Sequence, residues 1–343
     1  MTRLIKPKSG LVNRRGFLGR SSALLAAAGA GTFAGAGRAF ADDFPERNIE
    51  IVIPTGEGGG ADRDARAFTG VWGNHIDTSF ELGFYPGAAG QVGYEFYMER
   101  DPDAHSLIFS NLGPEIIMLE LQDTGIEPGR DIVFIRQTLT EPMAIWVGPD
   151  SPFRTLEELV DEAANRTISV SVSRLPHPAS IGMLALGEEL GVEFNLVPYG
   201  GGNPSAMAAI TGEVDCCALP VTNTIVLDDQ ALVLGLFADE NVVPEGTDDA
   251  PTVNDAMGTD IPELVSSRAW GIHREAYDAH PERVERLVES MQATLDDPDF
   301  VEAVEDTGVP SVFIDPGDEE QAMATAETTR ELAMRYRDLL QGD

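Results

Sequence analysis

Ile49, Ile51 and Ile53 alternate with Glu50 and Val52, the period-2 pattern of a strand with at least one buried face. Pro54 ends the pattern, Gly56, Gly58, Gly59 and Gly60 follow, and Asp62, Ala65, Arg66 and Phe68 begin a helical period that runs to about His75. A strand, a glycine-rich turn and a helix start place unpaired backbone N–H groups and the positive end of a helix dipole around one small concavity. The glycines permit positive φ and admit a ligand to the main chain without a Cβ in the way. Such a place suits an anion, although a tight strand–helix connection that binds nothing has the same local pattern.

The same grammar recurs down the chain. A strand is predicted over 79–84, then a second glycine turn, Pro86-Gly87-Ala88-Ala89-Gly90-Gln91-Val92-Gly93, leading into a helix around 93–99. Further strands are predicted at 106–110, 132–137, 143–148, 168–173, 193–197, 214–218 and 231–237, with helices at 114–121, 179–190 and 205–211 between them. Thr155-Leu156-Glu157-Glu158 is a capping box that opens a helix to about Ala164. A third glycine turn, Tyr199-Gly200-Gly201-Gly202-Asn203-Pro204, precedes the helix at 205, and the remainder reads as mainly helical, over 281–295, 298–307 and 318–340. Alternating strands and helices mean an α/β fold. Glycine turns at the carboxyl ends of strands gather in one crevice, where such sheets bind ligands. One set before residue 140 and another after 170 predict two lobes facing across a cleft.

The 343 residues suffice for two cores, and a composition of 43% hydrophobic and 24% charged residues is that of a globular chain. Charge changes the picture more. From residue 42 onward there are 16 arginines, no lysine and all 58 acids, a formal −42. That field repels nucleic acid and nucleotides, so neither is an expected partner. In molar salt the Debye length falls to about 3 Å and the self-repulsion is screened, which points to a high-salt habitat. Residues 1–41 read as an export address: Asn13-Arg14-Arg15-Gly16-Phe17-Leu18 resembles the twin-arginine motif, an Ala/Gly-rich apolar segment follows, and Ala39-Phe40-Ala41 fits a cleavage site. A mature protein beginning near Asp42 and working outside the cytoplasm is expected. The adjacent Cys216 and Cys217 cannot meet disulfide geometry and read as core residues of a buried strand.

Enzyme and cofactor motifs find little purchase. Gly56-Glu57-Gly58-Gly59-Gly60 lacks the spacing of a dinucleotide fingerprint, and a P-loop needs a lysine after its last glycine. The five histidines show no metal-ligand spacing, and no G-x-S-x-G elbow occurs. Neither cofactor nor metal is expected. An exported hydrolase assembled from distant positions stays open as an alternative.

Phe44-Pro45-Glu46-Arg47 leading into Ile51–Pro54 and Gly58-Gly59-Gly60-Ala61-Asp62 resembles the opening of Bug/TctC-type receptors, the extracytoplasmic solute receptors of tripartite tricarboxylate transporters. Pro86–Gly93 is similar to their second loop, and Val197-Pro198-Tyr199-Gly200-Gly201-Gly202-Asn203-Pro204 followed by Gly212-Glu213-Val214-Asp215 to two later motifs. Asp249–Val253 and Trp270-Gly271 continue the order, so the likeness covers nearly all of 44–340.

This resemblance implies a two-lobed periplasmic-binding (Venus flytrap) fold that closes on a small carboxylate. Lobe one is expected over 42–141 plus 236–343 and lobe two over 142–235, with crossings near 139–145 and 231–237. Carried over by position, the ligand-binding candidates are Gly58, Gly59, Gly60 and Asp62; Ala88, Ala89 and Gly90; Ser180; and Tyr199, Gly200 and Gly201. Asp62 is expected to cap its helix rather than to touch ligand. The chain departs from the family at Gly56 and Glu57, where proline is usual; at Asp64, where a non-polar residue is usual; at Gly200, where lysine is usual; and in the loop 173–178. Glu57 either faces solvent or meets a cationic group of the ligand, and Arg174 either holds a second carboxylate or lies on the surface. A di- or tricarboxylate receptor that feeds membrane permease subunits as a monomer is the expectation, with an acidic amino-acid receptor or a sensory protein as alternatives. Backbone amides, hydroxyls and water, rather than a lysine or arginine clamp, are expected around the ligand.

Overall fold

The computed structural model describes residues 44–342, so the expected export segment and cleavage site lie outside the described residues. In chain order the elements are β1 Ile49–Ile53, α1 Gly60–Ile76, β2 Phe80–Phe84, a 3-10 turn Ala88–Gly90, α2 Gln91–Met98, β3 Ser106–Asn111, α3 Leu112–Leu121 and β4 Ile132–Val147. Then come α4 Leu156–Ala163, β5 Ile168–Val172, α5 Pro178–Leu190, β6 Phe194–Pro198, α6 Gly202–Ile210, β7 Cys216–Pro220, α7 Val221–Ile225 and β8 Leu232–Phe237. The chain ends with α8 Val253–Met257, β9 Val265–His273, α9 Arg274–Ala279, α10 Pro281–Leu295, α11 Pro298–Glu305, β10 Ile314–Gly317, α12 Glu319–Arg335 and α13 Arg337–Gln341.

Two sheets share β4. In the first, the order is β2-β1-β3-β9-β4, with β10 also on β4. In the second, β4 continues to β7, β5 and β6, and β8 pairs with the same half of β4. The strands predicted separately at 132–137 and 143–148 are therefore one 16-residue strand. Its first part pairs antiparallel with β9 as far as Pro142↔Val265, and from Met143 onward it pairs with β7 and β8. Polar Thr138, Thr140 and Glu141 ahead of Pro142 resemble a break in the sequence. In the fold they are the point where one strand leaves the first sheet for the second. The result is a two-lobed α/β fold.

β9 carries no sequence signal for a strand. Ser266, Ser267 and Arg268 are all buried in its first half, so alternation is absent there and the short run Ala269–Ile272 gives no start for a strand; pairing with β3 and β4 on its two sides makes the whole segment extended. Trp270 from β9 closes an aromatic cluster with Phe68 and Trp72 of α1, at ring distances of 5.0 and 5.2 Å, and Trp72 Nε1 donates to Ser290 Oγ of α10 (2.8 Å). Large aromatic burial of this kind fixes a helix rigidly, and here it fixes where the N-terminus of α1 points. The helix predicted over 318–340 is divided at buried Tyr336; α12 packs on α3 and β4, and α13 turns onto α5. The expected capping box forms in part: Thr155 Oγ1 accepts from the Glu158 amide (3.3 Å), while Glu158 Oε2 accepts from the amide of Arg154 (2.6 Å) rather than that of Thr155. Cys216 and Cys217 are buried free thiols of β7, and burial pushes both thiols up.

Candidate ligand-binding cleft

The carboxyl ends of β1, β2, β3, β5, β6 and β7 all open on one cleft of about 610 Å3 between the two sheets. A larger hollow of about 780 Å3 lies at the far end of α3, beside α12 and α13. Its principal charges are already matched, Arg337 on Glu120 (2.9 Å) and Arg330 on Glu327 (2.7 Å). The cleft differs in kind, because the N-terminal ends of α1, α2, α3, α5 and α6 contribute to its walls. All five bring a partial positive charge, and α1, α2, α3 and α6 also bring main-chain N–H groups without helical acceptors, whereas at α5 Pro178 has no N–H and His177 takes the amides of Ala179, Ser180 and Ile181. This arrangement receives anions.

The first turn is held by Asp62, which accepts from the Gly58 amide (2.8 Å) and from Arg66 Nε (2.5 Å). That contact orients Gly59, Gly60 and Ala61 toward the cleft, which they line. In the second turn Gly87, Ala88, Ala89 and Gly90 have φ of 127°, 44°, 59° and 109°. Two alanines held in the left-handed region cost of order 1–2 kcal/mol each, and consecutive residues of this kind curl the backbone into a concave anion-binding surface. Gly90 is confined further: a Cβ there would sit 3.1 Å from Arg174 NH1 and 3.3 Å from the Pro54 carbonyl. The third turn crosses the cleft, where Asn203 Nδ2 donates to the Gly58 carbonyl (2.6 Å).

Behind the turns lies a buried ionic floor. Arg268 Nε donates to Asp64 Oδ2 (2.8 Å) and its NH2 to Glu141 Oε1 (2.6 Å), and Glu141 Oε2 accepts from Thr222 Oγ1 of α7. Burial pushes the Asp64 carboxyl up, against the pull of Arg268. Glu115 is fully buried and accepts from Ser110 Oγ (2.8 Å), the Asn111 amide (3.0 Å) and Asn111 Nδ2 (3.2 Å), with Arg174 NH1 at 3.7 Å. Burial raises its carboxyl too. Burial lowers Arg174, but a guanidinium stays charged at any working pH. Its NH1 donates to the Ala89 carbonyl (2.7 Å), a second contact across the cleft.

Residues 85–335 match the tripartite tricarboxylate transporter family receptor, TctC. The chain belongs to this receptor family. It is 26% identical over 276 residues to a UPF0065 protein encoded between tcbD and tcbE in Pseudomonas sp. strain P51, covering 78% of this chain and 80% of that one. MatC of Rhodopseudomonas palustris, solved with bound malate, superposes with a TM-score of 0.72 at 22% identity over 87% of this chain and all of that one. A second R. palustris protein, solved with adipate, superposes with a TM-score of 0.73 at 19% identity over 87% of this chain and 98% of that one. At these identities the two structures speak for the fold. The family consists of solute-binding receptors.

Of the candidates named from the receptor's sequence, Glu57, Gly59, Gly60, Ala88, Ala89, Gly90, Arg174, Gly200 and Gly201 all line the cleft. Four others do not. Gly58 and Asp62 hold the shape of the first turn: Asp62 does not cap α1 as expected but accepts from the Gly58 amide ahead of the helix, and the exposed Gly58 gives its carbonyl to Asn203. Ser180 is buried, is not among the residues that line the cleft, and donates to the Arg174 carbonyl (3.2 Å), which supports the loop. The side chain of Tyr199 lies beside Glu213 instead, and desolvation together with that carboxylate pushes its hydroxyl up. Glu57 stands at the rim, its side chain 71% exposed and 3.3 Å from Arg66 NH2. Arg174 is in the cleft wall, with its side chain only 14% exposed. Sequence reasoning missed His177 and Arg268. A histidine just before proline is an unremarked loop residue in sequence, and Arg268 sits in a strand without strand periodicity. The one available signal was Asp64, whose carboxylate where the family is non-polar implies a buried cation opposite.

Proposed function

We propose that this receptor captures a small organic acid outside the cytoplasm and delivers it to membrane permease subunits of a tripartite tricarboxylate transporter. A C4–C6 dicarboxylate is the first candidate. The observation that carries this reading is the convergence of five helix N-termini and the left-handed run 87–90 on one cleft. Neutral amide donors fix a carboxylate by direction, while helix dipoles supply positive potential with no ionic partner to strip away. Relatives of the same fold were solved with malate and with adipate, both dicarboxylates.

Binding without turnover fits the cleft histidine. His177 is pushed down to about 3, chiefly by burial, which makes it a poor general base at neutral pH. Glu57 is engaged by Arg66 at the rim, so an acidic amino acid is the second choice of ligand. Export through the twin-arginine route belongs to the same reading.

For the lobes we take the outward crossing at Pro142–Met143 and the return at Leu264–Val265, later than 231–237. β8 pairs with the second-sheet half of β4, α8 packs on α4, and pairing with the first sheet resumes at Val265. The contacts of Asn203 with Gly58 and of Arg174 with Ala89 join the lobes, and a ligand that touches both lobes only in the closed state adds to them and shifts the population toward closure. Calorimetry against succinate, malate, citrate, glutamate and benzoate tests the proposal. Binding of one or more of the acids and none of the corresponding amides supports it; amides that bind as well as the acids overturn it.

A further inference from the structure

The loop between β5 and α5 carries Arg174 and His177, three residues apart, and each presents an uncommitted donor to the cleft. Arg174 uses NH1 on the Ala89 carbonyl and beside Glu115. Its Nε and NH2 have no protein partner among the described residues, and the side chain lines the cleft. His177 is 3% exposed and caps α5: its Nδ1 accepts from the Ala179 amide (3.1 Å). A neutral imidazole that accepts at Nδ1 carries its proton on Nε2. No acceptor among the described residues takes that Nε2–H, and the ring lines the cleft. That nitrogen is not sealed from solvent, so it is open to the cleft and available to a ligand oxygen.

We propose that Arg174 NH2 and His177 Nε2–H together form a subsite for a second carboxylate, whose ligand is anchored at its other end on the glycine turns. This inference rests on the carboxylate-receptor reading and assigns the second end of the ligand. The two side chains have different tasks. Arg174 supplies charge and a planar donor suited to a carboxylate. His177 supplies direction without a further positive charge, because burial and the nearby guanidiniums of Arg174 and Arg268 keep it neutral. Arg268 is not part of the subsite: its donors go to Asp64, Glu141 and Ser266, so it contributes potential and not contact. Ser180 holds the Arg174 carbonyl and helps fix the spacing of the pair.

Diacids are compared with monoacids of equal length, which have no acceptor at the far end: succinate with butyrate, and adipate with hexanoate. Calorimetry is run at pH 7.5 in constant potassium chloride on the exported protein and on two variants. His177→Asn keeps an N-cap acceptor for Ala179 but cannot reach the ligand. His177→Gln places an amide N–H near the position of Nε2. The wild type should prefer a diacid to its monoacid at least tenfold. His177→Asn should weaken diacid binding about tenfold and change monoacid binding less than threefold, and His177→Gln should restore most of the loss. Equal weakening of diacid and monoacid in His177→Asn, or no weakening of either, overturns the subsite. So does a wild type that binds diacid and monoacid alike, which leaves the carboxylate-receptor reading standing. If neither class binds while amides do, that reading falls and the subsite falls with it.

Discussion

Lowering the pH from 7 to 5 should cost the folded receptor about 2 kcal/mol through His177 alone. The ring is pushed down to about 3 in the fold, whereas an unfolded chain restores about 6.5. Between these values the unfolded state binds a proton that the folded state refuses, so stability rises with pH. The contribution is fully present above the unfolded value and is lost as pH falls toward the folded one. At pH 7 the unfolded histidine holds only about a quarter of a proton, and at pH 5 nearly a whole one; integrating across that span gives about 2 kcal/mol. Any folded value below about 4 leaves this figure unchanged, because protonation of the folded ring contributes almost nothing at pH 5. Asp64 and Glu115 work in the opposite sense, since burial raises their carboxyls and acid then favours the fold in their own range. Their effect is common to wild type and His177→Asn and cancels in the comparison. Urea unfolding in constant potassium chloride at pH 7 and pH 5 measures the difference. His177→Asn should lose about 2 kcal/mol less than wild type over the interval. Equal losses would refute the argument that the ring is buried and neutral.

Three further outcomes are expected. Gly59 has extended φ/ψ (−89°, −176°) and a Cβ there would meet only the Gly56 carbonyl, at 3.7 Å. Gly59→Val should therefore leave the melting temperature nearly unchanged and remove the thermal shift produced by ligand, and a retained shift takes this turn out of the site. Glu141→Ala strips one of the two carboxylates from buried Arg268 and should destabilise by about 3 kcal/mol, whereas Asp64→Leu, Glu141→Leu and Arg268→Met together, which remove the whole buried ionic group, should cost less; a triple variant less stable than the single one contradicts the pairing. With a formal −42 from residue 42 onward, the melting temperature should rise from dilute buffer to molar potassium chloride as repulsion is screened, and a flat profile would end the high-salt reading.

Much of the architecture was legible because its signals are local. The isoleucines of β1 alternate, the glycines after Pro54 and Pro86 announce turns, and Thr155 with Glu158 announces a helix start; each depends on neighbours within a few residues. β9 and the continuity of β4 were not legible. Ser266, Ser267 and Arg268 are buried by strands that come from 108–111 and 132–142, and a polar residue with a distant partner looks the same in sequence as a polar residue in water.

The sequence by itself determined that turns rich in unpaired amides follow several strands, and that the net charge is of the sign that repels nucleic acid. Only the tertiary structure decided which side chains those turns face. Asp62 and Ser180, candidates by position, hold backbone behind the surface, while Arg174, His177 and Arg268 stand together at the cleft. Their meeting depends on β4 carrying the chain from one sheet to the other and on His177 capping α5. Electrostatics in a buried site depends on distance through space, and distances between residues 64, 141, 177 and 268 are set by packing, not by their order in the chain.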